Sequence, residues 1–232
     1  DPLLKEQWHY NNDGTVQFPN AKAGADINLF DAWELTTGRP DVVVAVVDEG
    51  VCYTHYDLAA NMLANEAELN GADGVDDDNN GYVDDVYGYN FVNKGEISWT
   101  RSGDSGHGTH VAGTVAAVNN NGVGVAGVAG GSGNGDGVRL ISCQIISGGI
   151  AAGPANTAEA IVYAADRGAC VLQISWGFEA GAISNDAGFE SGSTSVEAEA
   201  LEYFMGKQNH PNLEGGIVIF AAGNDGRAVA GY

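Results

Sequence analysis

The sequence predicts an α/β protein with three layers, in which helices cover both faces of a mostly parallel, doubly wound sheet. Four short runs are nearly continuous in apolar, β-branched residues, which is typical of strands buried on both faces. Helical patterns alternate with these runs, and such alternation indicates right-handed βαβ units. With 232 residues, 44% of them hydrophobic, the chain is long enough for one large domain spanning residues 1–232.

Each element has its own signal in the sequence. The predicted strands are residues 42–48, 138–146, 169–175 and 216–222. The predicted helices are residues 107–118, which are small and apolar, 156–167, which begin at a cap-like Asn-Thr and end before Gly168, and 194–208, which carry apolar side chains at helical spacing. Residues 70–85 form an acidic loop and residues 130–137 a flexible glycine-rich connection.

Charge and composition exclude several classes of function. The chain has 9 Lys+Arg against 31 Asp+Glu, a net charge of −22, which argues against nucleic acid as a partner and favours cation binding. No apolar run is long enough for a membrane span. Cys52, Cys143 and Cys170 lack zinc-site spacing, so we expect free, buried thiols. The chain opens with Asp1-Pro2 and no signal peptide, so we expect a processed or trimmed piece.

Two residues at strand and helix ends indicate acid–base chemistry. Asp48 ends the first predicted strand, where a partly buried carboxylate needs a polar partner; a turn aspartate before Gly50 is the alternative. His107 enters a helix between two glycines, where the helix dipole lowers the pKa of an imidazole and favours a neutral base; a capping histidine is the alternative. Together they match the orienting acid and general base of a nucleophilic triad.

A third polar residue follows the last predicted strand. Asn224 comes after Gly223, and its amide can project into the same crevice and donate to an oxyanion, although a turn asparagine is an open alternative.

Four motifs carry a family resemblance. They are residues 43–51 (VVAVVDEGV) followed by 55–58 (HYDL), 107–114 (HGTHVAGT), 175–177 (SWG) and 221–224 (AAGN). In this order and spacing they resemble the Asp, His, substrate-binding and oxyanion motifs of the subtilisin-like serine peptidases. The resemblance implies a subtilisin-like fold, with Asp48 as orienter, His107 as general base and Asn224 as oxyanion donor. It also implies that an extended peptide or protein substrate pairs with Ser175, Trp176 and Gly177, next to Ala222 and Gly223.

The chain departs from the family pattern at two points. Glu49 stands where the family usually has Thr or Ser, which puts a second carboxylate beside Asp48. The family's nucleophile lies in a Gly-Thr-Ser motif downstream of the oxyanion asparagine, and the printed sequence holds no such motif. Residues 191–193 (SGS) lie before Asn224, and residues 192–194 (GST) are better interpreted as an N-cap for the next helix. We therefore expect a domain that is incomplete at its C-terminus, whose missing part is a partner of this chain.

The acidic loop predicts a Ca²⁺ site. Residues 76–84 match D-x-D-x-N-G-x-x-D, in which alternating oxygens surround the ion and the glycine permits the turn. Position twelve is Tyr87 rather than a bidentate glutamate, so an EF-hand sensor is not expected, and a solvated acidic loop is the alternative. The candidate ligands are Asp76, Asp78, Asn80, Tyr82 and Asp84. The family resemblance implies a second site with Asp57, Asn121 and Asp1.

The leading hypothesis is a secreted or cell-envelope serine endopeptidase. A non-catalytic, calcium-stabilised binding or scaffold domain on the same fold is the second reading. A calcium-binding module unrelated to proteolysis is the third, and it leaves Asp48, His107 and Asn224 unexplained.

Overall fold

The computed structural model describes residues 1–15, 21–177 and 185–224. The strands of these ranges are β1 (Val43–Glu49), β2 (Gly88–Asn90), β3 (Arg139–Ser147), β4 (Ile150–Ala151), β5 (Val171–Ile174) and β6 (Ile217–Phe220). The helices are α1 (Leu29–Trp33), α2 (Glu66–Leu69), α3 (His107–Ala116), α4 (Pro154–Asp166), α5 (Asp186–Phe189) and α6 (Ser195–Gly206).

The strands form one sheet in the order β2-β3-β1-β5-β6. All pairs along this path are parallel, and the short β4 pairs antiparallel with β3. The predicted α/β fold with a mostly parallel sheet is therefore confirmed. Because β1 lies between β3 and β5, the carboxyl ends of the three strands meet at one edge of the sheet, where ligands and catalytic groups gather in α/β proteins.

Helices cover both faces of this sheet. Ala45 and Val47 of β1 belong to the apolar cluster that contains the buried side chains of α4 and α6. The alternate residues Val44 and Val46 belong to a second cluster, with Ala112 and Ala116 of α3. Successive strand residues point to opposite faces, so β1 contributes to two cores at once, as its continuous apolar sequence predicts.

The predicted strand and helix positions agree with the structure to within a few residues, but three details differ. Helix α4 starts at Pro154 after Gly153, and the N–H groups of Asn156 and Thr157 both donate to the Gly153 carbonyl, so the predicted Asn cap is wrong. Proline suits this first position because the first N–H groups of a helix have no intrahelical partner. Residues 192–194, expected to cap the next helix, form a 3₁₀ turn whose last residue, Thr194, is the N-cap residue of α6.

The second difference is that β2 and β4 were not predicted, since three and two residues are too few for a recognisable pattern. The third is that β6 is not covered on both faces in the described structure. Ile217, Ile219 and Phe220 are exposed, and β6 lies at the edge of the sheet, where it pairs with β5.

The three cysteines are free, as predicted, but only Cys143 and Cys170 are buried, and burial raises the pKa of both thiols. Cys52 is half-buried, because it lies in the loop after β1. Within the described ranges no helix combines the length and the apolar character needed to cross a bilayer.

Candidate active site and cation sites

A carboxylate and an imidazole meet where β1 ends and α3 begins. The Nδ1 atom of His107 lies 2.7 Å from the Oδ1 atom of Asp48. With Nδ1 turned to the carboxylate, Nε2 is the ring nitrogen left to exchange a proton with another group. The half-exposed imidazole, with 51% of its side chain accessible, can be reached by a reactant. The structure therefore brings together the two residues that the sequence predicts as orienting acid and base.

Asp48 is buried in a poorly solvated environment. Its residue is 1% exposed, and Oδ1 also accepts a hydrogen bond from the backbone N–H of Glu49 at 2.7 Å. Among the described residues, no group donates a hydrogen bond to Oδ2. Burial raises the pKa of the Asp48 carboxyl, and the hydrogen bond with His107 partly opposes that shift. The hydrogen bond with the imidazole is thus the main interaction that stabilises the charged form of this carboxylate.

Small residues let α3 lie close to the end of β1. A Cβ atom added at Gly108 would lie 2.1 Å from the carbonyl oxygen of Glu49, so no other residue fits there without a shift of the backbone. The next residue, Thr109, accepts a hydrogen bond through Oγ1 from the backbone N–H of Cys52 at 2.9 Å. These contacts hold the first turn of α3 on the loop that follows Asp48.

The other predicted site residues follow β5 and β6 at the same edge of the sheet. Ile174 pairs with Val47 of β1 and with Phe220 of β6, so residues 175–177 and 221–224 leave the sheet at the level of Asp48. Trp176 donates its Nε1–H to the carbonyl of Val47 at 3.0 Å. Ser175, Trp176, Gly177, Ala222, Gly223 and Asn224 all lie in irregular backbone beyond the strands, and Gly223 has a φ of 82°.

In the acidic loop, the structure brings together only part of the predicted ligand set. Carboxylate oxygens of Asp76 and Asp78 lie within 4.8 Å of each other and of a Glu68 oxygen. Asn80 contacts both aspartates, since its backbone N–H donates to Oδ1 of Asp76 at 3.1 Å and of Asp78 at 3.0 Å. Oxygen donors of this kind are those that Ca²⁺ prefers.

Glu68 is the residue that sequence reasoning missed. It lies on α2, outside the motif, and is buried. Its Oε1 accepts hydrogen bonds from the backbone N–H groups of Asp77 and Asp78, and its Oε2 from that of Asp84. A sequence signal for it is weak, because nothing in the spacing of Glu66 and Glu68 tells which side chain faces the loop.

Asp84 lies apart from the other acidic residues of the predicted ligand set. The Asp84 carboxylate accepts the N–H of Gly74 and belongs to a separate acidic group with Asp73 and Glu96. The Tyr82 ring packs against the core cluster beside Tyr89 and Tyr163, and burial raises its pKa to about 12. A calcium ligand at this seventh loop position would be the backbone carbonyl of Tyr82, not its side chain.

A buried carboxylate, Asp85, connects the acidic loop to α4. It is 0% exposed; Oδ2 accepts a hydrogen bond from the Tyr163 hydroxyl at 2.6 Å and lies 3.7 Å from Arg167 Nε. The amide nitrogens of Asn65 and Asn80 each donate to both Asp85 and Asp78. Burial raises the pKa of Asp85, while these donors oppose the shift.

Asp1, Asp57 and Asn121 lie together at the loop after α3. Asp57 is 2% exposed, and its carboxylate accepts hydrogen bonds from the Asn121 Nδ2 at 2.6 Å and the Val125 N–H at 3.0 Å. The Asp1 carboxylate accepts the N–H groups of Asn120 and Asn121 at 2.9 and 3.2 Å. These bonds bring together the three residues that the family resemblance names for a second cation site.

Several known proteins are similar to this chain. The profile described as the Subtilase family matches residues 39–231. Subtilisin-like protease 1 of Plasmodium berghei is 44% identical over 115 residues, which cover 48% of this chain and 19% of that protein. The halolysin-like extracellular serine protease Nep of Natrialba magadii is 32% identical over 169 residues, or 70% of this chain and 27% of that protein.

A solved structure described as proteases from Pseudoalteromonas arctica has a TM-score of 0.60 and 26% identity. The superposed region covers 97% of this chain and 59% of the chain in that structure. The chain thus spans about a fifth to a quarter of the length of the two curated relatives and more than half of this structural neighbour.

Proposed function

Because the chain belongs to the subtilase family, we propose that it is part of a serine endopeptidase and supplies the acid and base of its catalytic triad. Asp48 is the orienting acid and His107 the general base. Asn224 is the donor to the oxyanion. The observation that carries the proposal is the 2.7 Å contact between His107 Nδ1 and Asp48 Oδ1, made by residues of two family motifs.

The proposed chemistry is acyl transfer to a serine, followed by hydrolysis. As the serine oxygen forms a bond to the substrate carbonyl carbon, Nε2 of His107 takes the hydroxyl proton and then gives it to the leaving amine. Asp48 holds the imidazole in the tautomer with the proton on Nδ1 and stabilises the imidazolium. The Asn224 amide donates a hydrogen bond to the tetrahedral oxyanion. Water then hydrolyses the acyl-enzyme.

In this proposal the serine lies in a segment outside this sequence, in which no Gly-Thr-Ser motif occurs. That segment would complete the active site as a partner of this chain. An extended peptide is the proposed substrate. Residues 175–177 pair with its backbone, and Ala222 and Gly223 lie beside the same crevice, at the edge where parallel strands end.

The test uses the full-length gene product that contains this chain. A fluorophosphonate probe should label one serine in the wild-type enzyme, and His107→Ala should abolish both labelling and peptide cleavage. The printed chain alone should not be labelled. Unchanged cleavage by His107→Ala, or labelling of a serine within residues 1–232, contradicts the proposal. A full-length protein without labelling favours the alternative, a calcium-stabilised scaffold on the same fold.

We further propose that Ca²⁺ is a structural cofactor. Asp76, Asp78, Asn80 and Glu68 would hold one ion, and Asp57, Asn121 and Asp1 a second. Both groups offer the hard oxygen donors that Ca²⁺ takes, and the first converges within 4.8 Å. A bound ion would offset the repulsion between carboxylates in a chain with a net charge of −22.

A secreted or cell-envelope location is proposed on two grounds. The proposed Ca²⁺ sites would be filled at the high calcium concentration outside cells. One relative is named as an extracellular serine protease.

A further inference from the structure

We propose that Glu49 is a positioning residue for His107, because its carboxylate fixes the backbone of the first turn of α3 while Asp48 holds the ring. The consequence for catalysis rests on the proposed function. The contact itself does not, and it can be tested separately.

The Glu49 side chain makes a dense set of contacts with the segment before α3. Its Oε2 accepts the backbone N–H of His107 at 3.0 Å. Both carboxylate oxygens also accept from Ser105, at 3.3 and 3.1 Å from the backbone N–H and at 3.0 and 3.1 Å from Oγ. Glu49 is 7% exposed, so these charge-assisted bonds form largely away from water.

Two consecutive acidic residues at the end of β1 contact the same histidine. Successive side chains of a regular strand point to opposite faces. The pairing of β1 with β3 is regular up to Asp48, which pairs with Gln144, whereas Glu49 pairs with Ile146, so the register shifts at the end of the strand. Asp48 contacts the imidazole of His107, and Glu49 accepts its backbone N–H.

Helix α3 has no cap of its own at this end. Its N-cap residue is Gly106, with a φ of 79° and no side chain, and the first N–H groups of a helix have no intrahelical partner. The Glu49 carboxylate satisfies one of these groups from a different element. A negative charge is also favourable at a helix N-terminus.

The contact between Glu49 and the backbone of His107 is important because the His107 ring is exposed. Half of the His107 side chain is accessible, so packing alone restrains the imidazole weakly. Its place is set by the Asp48 contact and by the backbone to which it is attached. Losing the Glu49 contact frees that backbone and should weaken the bond between Nδ1–H and Asp48.

The first test is amide hydrogen exchange of the chain by NMR, with histidine signals assigned by His107→Ala. The His107 N–H should be protected in the wild type, because only an acceptor outside the helix can protect it. Rapid exchange of this amide in the folded wild type overturns the proposal without any variant.

The second test compares Glu49→Gln with two controls, Glu96→Gln on an exposed carboxylate and Ser105→Ala. Glu49→Gln removes the charge and should speed exchange of the His107 N–H and of the Nδ1–H proton by about tenfold or more, as expected for a lost charge-assisted hydrogen bond. Both controls should stay near the wild type, since each leaves the bond to the His107 N–H in place. Equal exchange in a folded Glu49→Gln protein overturns the proposal.

The third test is made in the full-length enzyme. Glu49→Gln should lower kcat with little change in KM, since the substrate-binding strand is untouched, and Glu49→Asp should recover part of the loss. An unchanged kcat overturns the positioning role even where the exchange data agree. If His107→Ala cleaves normally, the proposed function fails instead, and the exchange results on Glu49 still stand.

Discussion

The imidazole of His107 lies against the carboxylate of Asp48 although the two residues are 59 positions apart in the sequence, with 2.7 Å between Nδ1 and Oδ1. The contact is possible because α3 packs on the end of β1 at a residue without a side chain, Gly108. It fixes which ring nitrogen is free to carry a proton. From this pairing, and from the acidic groups around it, we derive five expected outcomes.

The first concerns catalysis in the full-length enzyme. Asn224→Ala should lower kcat by about 10²–10³, the usual cost of losing one oxyanion donor. Asp48→Asn should be impaired at least as severely, because the imidazole would lose its tautomer control. Cleavage of a peptide substrate, with KM measured separately, checks both. A kcat within a factor of two of wild type for Asn224→Ala contradicts its assignment.

The second concerns the effect of pH on stability. Burial raises the pKa of Asp48, so the folded state holds this proton more tightly than the unfolded state does. The stabilisation from protonated Asp48 is complete below the ordinary carboxyl pKa of about 3.9 and is lost as pH rises through the raised folded value. The Asp48→Asn variant has no such proton to lose. Its free energy of unfolding should therefore increase relative to that of the wild type as pH rises from about 3 to 7.

Denaturant unfolding of both proteins across this range, at constant calcium, measures the difference. Asp41→Asn is the control of opposite sign, because the Arg39 guanidinium lowers the pKa of exposed Asp41. A stability difference for Asp48→Asn that is flat or falls with pH contradicts the expectation.

The third concerns calcium. An ion bound only by the folded state stabilises it by RT ln(1 + [L]/Kd), about 2.7 kcal/mol at a hundredfold excess. We expect Tm to rise with Ca²⁺ and far less with Mg²⁺, which demands a stricter octahedral geometry. Asp76→Ala with Asp78→Ala should remove much of the rise, and Glu68→Gln should reduce it.

The control is Asp13→Ala with Asp31→Ala, which removes the same charge from exposed positions. It should keep the full calcium response. Identical melting curves of the wild type in EDTA and in millimolar Ca²⁺ would contradict the calcium proposal and show that the acidic loop is a solvated surface without a bound ion.

The fourth concerns the buried carboxylate Asp85. Asp85→Ala leaves Tyr163 and Arg167 without their partner and takes one of two acceptors from the Asn65 and Asn80 amides, and removing one partner of a buried charged network costs about 3–5 kcal/mol. Tyr163→Phe removes a single hydrogen bond and should cost about 1 kcal/mol. Chemical denaturation at fixed calcium checks both values. Equal losses in the two variants would show that the network acts only through the tyrosine.

These cases show which parts of the molecule the sequence predicts. Continuous apolar runs identify β1, β3 and β5, because a buried parallel strand needs apolar side chains on both faces. The motifs identify Asp48 and His107 because glycines and strand ends fix where a short polar side chain points. Both signals are local.

The missed features depend on contacts between distant segments. Glu68 of α2 contacts the acidic loop from outside it, and Asp85 of that loop contacts Tyr163 of α4. An acidic residue in an acidic stretch carries no sign of either role. Strand β2 cannot be predicted from its three residues alone, because it is defined by its pairing with β3, where Gly88 pairs with Ser142. The exposure of β6 depends equally on which elements cover the sheet.

The fifth prediction compares two glycines of α3 that differ in what surrounds them. A Cβ atom at Gly108 would lie 2.1 Å from the Glu49 carbonyl oxygen, whereas a Cβ at Gly113 would meet nothing within 4 Å. Gly113→Ala should stabilise the fold by about 0.5–1 kcal/mol, the ordinary gain for a helix interior. Gly108→Ala has the same propensity gain but must push α3 away from β1, and overpacking of this kind costs about 1–3 kcal/mol.

The two variants together separate helix propensity from close packing at the site. Denaturant unfolding should give changes of opposite sign, and in Gly108→Ala the exchange of the His107 Nδ1–H proton should also become faster, because the displaced helix lengthens the contact with Asp48. If Gly108→Ala is as stable as Gly113→Ala and keeps a slowly exchanging proton, α3 does not depend on this close approach to hold His107 against Asp48.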